Sequence, residues 1–304
     1  MRLPSEPSRV ESFNEKMIID AHTHIFSPDV ITHRAQYAKR DTFFGFLYSG
    51  VAARMVGAQE IIVAMDAAGI DQAILTGWCW QNHETCVEEN SWMMEMVRQY
   101  PGRLIALAAI QPNAGAAAIR ELERCVAGGM VGLGELNADG QQFRFDDVNV
   151  IALANAAAEM GVTVLLHTNE PVGHKYPGKG TLPLADIYDF IQAVPKLKLV
   201  LAHWGGGFPF YELMRAVRKV AANVWYDTAA SPLLYSSKIF RAMIDVVGSE
   251  KILYGSDFPL ILYPKRQSDP DFGPFLDEIR NLGLSEEEWT NVMAKNAQRV
   301  YLKK

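Results

Sequence analysis

The chain has 304 residues, 49% of them apolar, and 29 Lys and Arg against 35 Asp and Glu give a formal net charge of −6. That length supplies a large core and exceeds the roughly 250 residues typical of an eight-stranded α/β barrel. With no long basic run and no apolar stretch of the roughly 18–20 residues that span a bilayer, neither a nucleic-acid backbone nor a membrane is expected as a partner.

Residues 1–16 form a polar tail carrying Glu6, Glu11 and Glu15, without the charged-then-apolar order of a signal peptide. Cys79, Cys86 and Cys125 are an odd count without zinc-finger spacing, so a disulfide framework is not expected. The expectation is a soluble, cytoplasmic protein in which residues 17–304 form a single domain.

From Met17 onward, strand-like and helix-like segments alternate. Strands are predicted at 17–21, 72–76, 104–109, 131–135, 162–166, 198–202, 223–226 and 252–255. Helices are predicted between them at 58–68, 88–99, 115–127, 147–160, 184–193, 209–221 and 237–246. Gly69 and Gly161 read as C-cap glycines, and Ser285-Glu286-Glu287-Glu288 as a capping box opening a last helix to about Tyr301. Such alternation implies parallel strands with crossover helices, and eight strands favour closure into a (β/α)8 TIM barrel. Three connections are long, 25–57, 168–183 and 258–274, and long connections in compact domains are commonly functional. The first holds Phe43, Phe44, Phe46 and Tyr48, which predicts an ordered cap, inserted after the first strand, that buries these rings over the barrel mouth.

Chemistry-bearing side chains recur where the strands end. His22 and His24 close the first strand, and two residues at i and i+2 share a face, so both imidazoles can meet one divalent metal. His167, His203 and Asp257 each follow another apolar, β-branched run. His203, before Trp204-Gly205-Gly206-Gly207, is open between metal ligand and general acid/base, since imidazole serves both. Asp257 suits a helix N-cap as well, but its strand-end position favours a carboxylate beside the metal. Glu135, ending the fourth strand, can contact metal, orient a ligand or pair inside the barrel. Asp227 is expected to hydrogen bond behind the ligands. His33 and His83 lie in connections and are expected to be solvated. His174, Lys175, Lys179, Lys265 and Arg266 lie in the long loops, where a substrate carboxylate could be held, although solvated loop charge is the plainer expectation.

These residues resemble the amidohydrolase superfamily, in particular its second large branch, which includes aminocarboxymuconate semialdehyde decarboxylase, resorcylate decarboxylases and several lactone hydrolases. The resemblance runs from about Met17 to Tyr301. His22-Thr23-His24, His167 and Asp257 fall where that family has metal ligands, and His203-Trp204-Gly205-Gly206-Gly207 is similar to the His-Gly-Gly-Gly stretch of the decarboxylases. Met65-Asp66-Ala67-Ala68-Gly69 and Lys295-Asn296-Ala297 are further family marks. Gly134-Glu135 is similar to the fourth-strand pair of TatD-type deoxyribonucleases, which implies one or two metal ions.

The expected function is hydrolysis of an ester, lactone or amide in a small carboxylate-bearing metabolite. Zinc-activated water would be the nucleophile, Asp257 would shuttle its proton, and His203 would stabilise the oxyanion. This preference rests on Glu135, whose charge beside the metal would repel a carboxylate that must be seated there. The alternative is metal-dependent, non-oxidative decarboxylation of an aromatic or unsaturated acid. A barrel that binds a metabolite without turnover would not require the ligand set. A homo-oligomer is compatible with all three.

Overall fold

The computed structural model describes residues 17–50 and 52–302. The tail expected at 1–16 therefore lies outside the described residues. Eight short parallel strands are formed: β1 Ile19–Thr23, β2 Gln72–Leu75, β3 Leu104–Ala106, β4 Gly132–Leu136, β5 Thr163–Leu166, β6 Lys198–Leu201, β7 Val224–Asp227 and β8 Ile252–Leu253. They pair in sequence order as β1-β2-β3 and β4 to β8. Two seams join these sheets. A bridge between Ala108 and Leu133 carries hydrogen bonds from Ala108 N to Gly132 O (2.9 Å) and from Gly134 N to Ala108 O (3.0 Å). On the other side Thr23 bridges Phe258, with Ala21 N donating to Tyr254 O (2.8 Å) and His24 N to Phe258 O (2.7 Å). The sheet thus closes into the (β/α)8 barrel.

Inside, Ile19, Ala21, Ile74, Leu107, Leu165, Val200 and Leu253 pack with Ala294, Ala297 and Tyr301 of the C-terminal segment. This fills the barrel, so polar groups at the strand ends have only its mouth to occupy. Helices 58–68 and 184–193 span the predicted residues. Gly69 (φ 73°) and Gly161 (φ 71°) terminate helices in the left-handed conformation that a side chain disfavours.

Four expectations change. The segment predicted as helix 209–221 is a 3₁₀ stretch, His203–Leu213, followed by helix Arg215–Val220. Left-handed Trp204 to Gly207 and Pro209 prevent an α-helix from starting earlier. The last helix begins at the Ser285 capping box but widens into π-helical turns at Asn291–Lys295 and Gln298–Leu302. His83 opens helix His83–Gln99 behind the Asn82 N-cap and does not lie in a connection. In the cap, helices Pro28–Thr32, Arg34–Arg40 and Thr42–Tyr48 bury Phe44 fully, yet leave Phe46 65% exposed. Phe44 meets Phe26, Tyr48 and Trp80 at ring-centroid distances of 5.9, 5.1 and 5.0 Å. Among the described residues no helix is long and apolar enough to cross a membrane.

Candidate metal centre and active site

Local irregularity aims the first two imidazoles. Ile19 and Ala21 point into the barrel, so strict alternation would send His22 and His24 to the other face. The β1–β2 register shifts between Asp20 and Thr23, and a shift of one residue reverses facing, which brings both rings into the mouth. A second shift, between Leu133 and Leu136, occurs where β4 presents Glu135. Gly134 (φ 131°) is required there, because a Cβ would stand 2.4 Å from Leu165 O.

Each ring is oriented from behind. His22 Nδ1 donates to Asp227 Oδ2 (2.8 Å), and His24 Nδ1 donates to Thr76 Oγ1 (3.0 Å), whose own hydroxyl donates to Thr23 O. The two Nε2 atoms then face each other 3.2 Å apart. Lone pairs at that distance repel unless a proton or a cation lies between them. His203 Nδ1 donates to Ala229 O (3.0 Å), turning Nε2 towards Glu135 Oε1 at 3.4 Å. His167 Nδ1 donates to the same oxygen (2.8 Å), and its Nε2 is buried without a protein partner. Glu135 Oε2 lies 3.7 Å from His22 Nε2 and 3.8 Å from His24 Nε2, while Asp257 Oδ1 lies 3.4 Å from His24 Nε2. All six residues proposed from the sequence therefore come together.

Electrostatics follows from this crowding. Burial opposes ionisation of Glu135, but the imidazoles of His167 and His22 outweigh it and hold the carboxyl well below its usual range. Burial likewise opposes the charge on Asp257, and the hydrogen bond from His24 with the nearby His22 and His203 lowers its pKa. Burial would lower the pKa of His203, yet Glu135, by hydrogen bond and by charge, raises it to about 9. His22 is raised well above the imidazole range by Asp227 and Glu135 against its burial.

The donor chemistry fits a divalent cation. His22, His24 and Glu135 place one ligand atom each within 4.8 Å of one another, and Glu135, His167 and His203 do the same. Imidazole and carboxylate donors of this kind suit borderline divalent metals, and the orphaned His167 Nε2 would gain a partner by ligation.

A cavity of about 510 Å³ opens onto these donors and is lined by Phe43, Tyr48 and Trp78 of the cap side. His174 lines it, but Lys175, Lys179, Lys265 and Arg266 do not. Lys179 braces its own loop, donating to Glu170 Oε1 (2.9 Å), Val172 O (2.9 Å) and His174 O (3.2 Å). Thr76 and Trp78 were not singled out from the sequence. A strand-end Thr and a Trp in a connection carry no local signal, although Thr76 ends the second predicted strand, a position of the kind that holds the other site residues.

The amidohydrolase family model matches residues 19–303. Among curated relatives, the chain is 22% identical over 68% of its length to 2-amino-3-carboxymuconate-6-semialdehyde decarboxylase of Dictyostelium discoideum, and the match spans 64% of that protein. It is 24% identical to γ-resorcylate decarboxylase of Polaromonas sp. over 81% of this chain and 83% of that one. Among solved structures it is similar to dihydroxybenzoic acid decarboxylase of Polaromonas sp. JS666, described with bound manganese and the inhibitor 2-nitroresorcinol. The TM-score is 0.68 at 20% identity, over 94% of this chain and 96% of that one. These relatives overturn the expectation of ester, lactone or amide hydrolysis, because both curated proteins are decarboxylases. The match over nearly the whole chain places this protein in the amidohydrolase superfamily, in its amidohydrolase-2 branch.

Proposed function

We propose that this protein is a metal-dependent decarboxylase that removes CO2, without redox change, from a small aromatic or conjugated unsaturated acid. The observation that carries the reading is the shared activity of the two curated relatives. The geometry is compatible with it and answers the objection raised by Glu135. That carboxylate is ringed by four imidazoles within 3.8 Å, so its charge is compensated locally and need not repel a substrate carboxylate.

His22, His24 and His167 would hold the cation together with Glu135 and Asp257. When bound, a divalent ion supplies Lewis-acid stabilisation and a template for substrate oxygens. Imidazole and carboxylate donors accommodate zinc and manganese alike. His203 is the proton donor. Its Nδ1–H is committed to Ala229 O, leaving Nε2–H to deliver a proton to the carbon that bears the carboxylate. The carbon–carboxylate bond then breaks, its electron pair restores ring conjugation, and CO2 departs. In the metal-free protein Glu135 raises the His203 pKa to about 9, towards the charged form that this step needs. Asp257, held as carboxylate, serves as a ligand rather than as the acid. The apolar walls favour converting a charged carboxylate into neutral CO2.

Residues 17–304 act as one catalytic unit in this reading, and three buried unpaired thiols suit a reducing compartment. The test incubates manganese- or zinc-loaded protein with hydroxybenzoic acids and with lactones, monitoring CO2 and acid release. CO2 evolution from at least one acid is expected. Lactone hydrolysis without CO2 from any acid would overturn the proposal.

A further inference from the structure

Two asparagines stand one step further out along the barrel mouth than the metal donors. Asn137 follows Glu135 by two residues at the end of β4, Asn169 follows His167 by two after β5, and both line the cavity. The orientation of each side-chain amide is fixed by a backbone group that can only donate. Gly140 N donates to Asn137 Oδ1 at 2.8 Å, and Gly180 N donates to Asn169 Oδ1 at 2.7 Å. Each Nδ2 is thereby turned to the opposite side. Asn169 Nδ2 donates to the Tyr176 hydroxyl, which itself donates to Glu170 Oε2 at 2.9 Å, and keeps a second hydrogen. Asn137 Nδ2 has no hydrogen-bond partner among the described residues, although Asn137 is only 4% exposed. Capping does not account for that amide, since Asp would cap helix Ala138–Gln141 equally well and bring no N–H.

We infer that Asn137 and Asn169 form a donor pair that holds an oxygen substituent at the end of the substrate remote from the departing carboxylate. This rests on the decarboxylase reading and adds to it the residues that set specificity. An acid whose remote substituent accepts hydrogen bonds is preferred, and one carrying a hydrocarbon group of the same shape is discriminated against. The apolar walls would receive such a hydrocarbon readily. It would, however, leave the amide hydrogens of both asparagines unpaired once water is expelled, and a site built to hydrogen bond rejects an analogue that lacks the partner.

Two unreactive ligands of nearly the same shape isolate the effect. In 4-hydroxy-3-nitroacetophenone and 4-isopropyl-2-nitrophenol the nitro group stands in for the departing carboxylate, and the remote acetyl and isopropyl groups differ in the carbonyl oxygen. Calorimetric titration of manganese-loaded protein should show the acetyl compound binding at least about tenfold more tightly, a difference of about 1.4 kcal/mol. Asn137→Asp and Asn169→Asp keep an oxygen for Gly140 N and Gly180 N but replace the cavity-facing N–H groups by an acceptor. Each should lose most of the preference while retaining bound metal and the parent circular dichroism spectrum. Equal or tighter binding of the isopropyl compound by the parent protein would overturn the inference and leave the decarboxylase reading to stand on CO2 release. A preference kept in full by both folded variants would also overturn it, by assigning the carbonyl to other lining groups such as Tyr48, Arg54 or His174. Failure of both ligands to bind would overturn the inference alone if CO2 is released from an acid, and together with the reading on which it rests if none is.

Discussion

The ring of His203 separates two kinds of residue in the site. His22, His24 and Asp257 have no role in the proposed proton transfer, so their loss should act through the metal. His22→Ala, His24→Ala and Asp257→Ala are each expected to lose bound metal and activity while retaining the parent circular dichroism spectrum. His203→Asn should retain metal and lose about 10²–10⁴-fold in rate, the usual contribution of a positioned acid. Elemental analysis beside steady-state rates distinguishes the two classes, and stoichiometric metal loss from His203→Asn would make that residue a ligand. A pH prediction follows for the metal-free protein. Folding raises the His203 pKa from 6.5 to about 9, so the folded state binds the proton more tightly than the unfolded state does. Its contribution to stability is fully present below pH 6.5 and is lost as pH rises through about 9. Thermal unfolding of chelator-treated protein should show this loss across that window, and His203→Asn should lessen it, the raised pKa of His22 contributing to both profiles. A parent profile as flat as that of the variant would contradict the assigned charge.

At the scale of elements, the site depends on backbone that departs from regular structure. His203 and Trp204 sit at φ 57° and 58°, and Gly206 continues the left-handed run at φ 59°. A Cβ on Gly206 would stand 2.3 Å from Asn169 O, in the loop leaving β5. Gly206→Ala is therefore expected to destabilise the fold by about 1–3 kcal/mol and to displace His203. Chemical denaturation and the rate should report both effects, and a variant of parent stability and rate would contradict them. The same irregularity explains what the sequence revealed and what it did not. Helices 58–68 and 184–193 were legible because their periodicity is unbroken. His22, His24, His167, His203 and Asp257 were legible because polar residues ending apolar runs stand out. The 3₁₀ stretch after β6 was not, since the apolar content of Phe208 to Leu213 mimics a helix while the preceding glycines and Pro209 forbid one. Nor was the reaction. In the sequence Glu135 stands as a lone charge, whereas folding surrounds it with imidazoles contributed by β1, β5 and β6 or by the residues that follow them.

For the molecule as a whole, the decisive contact is between cap and barrel. The cap is joined through rings: Phe44 and Tyr48 meet Trp78 at 6.1 and 5.0 Å, and Trp78 in turn meets His24 at 6.0 Å. The aromatic surface that orders the cap is thus continuous with the metal donors and forms one wall of the cavity. Phe44→Ala removes the fully buried ring at its centre. A buried Phe truncated to Ala typically costs about 3–5 kcal/mol. That loss should fall on the cap, because the inner barrel packs through a separate cluster that contains none of these rings. Hydrogen exchange is expected to accelerate across 42–48 while amides of β5 and β6 keep parent protection, the pattern of a locally opening unit. The Michaelis constant should rise, since the loosened helix carries Phe43 and Leu47 of the pocket wall. Faster exchange in β5 and β6 to the same degree would show that cap and barrel unfold together. Unchanged exchange across 42–48 would show that Phe44 does not hold the cap in place.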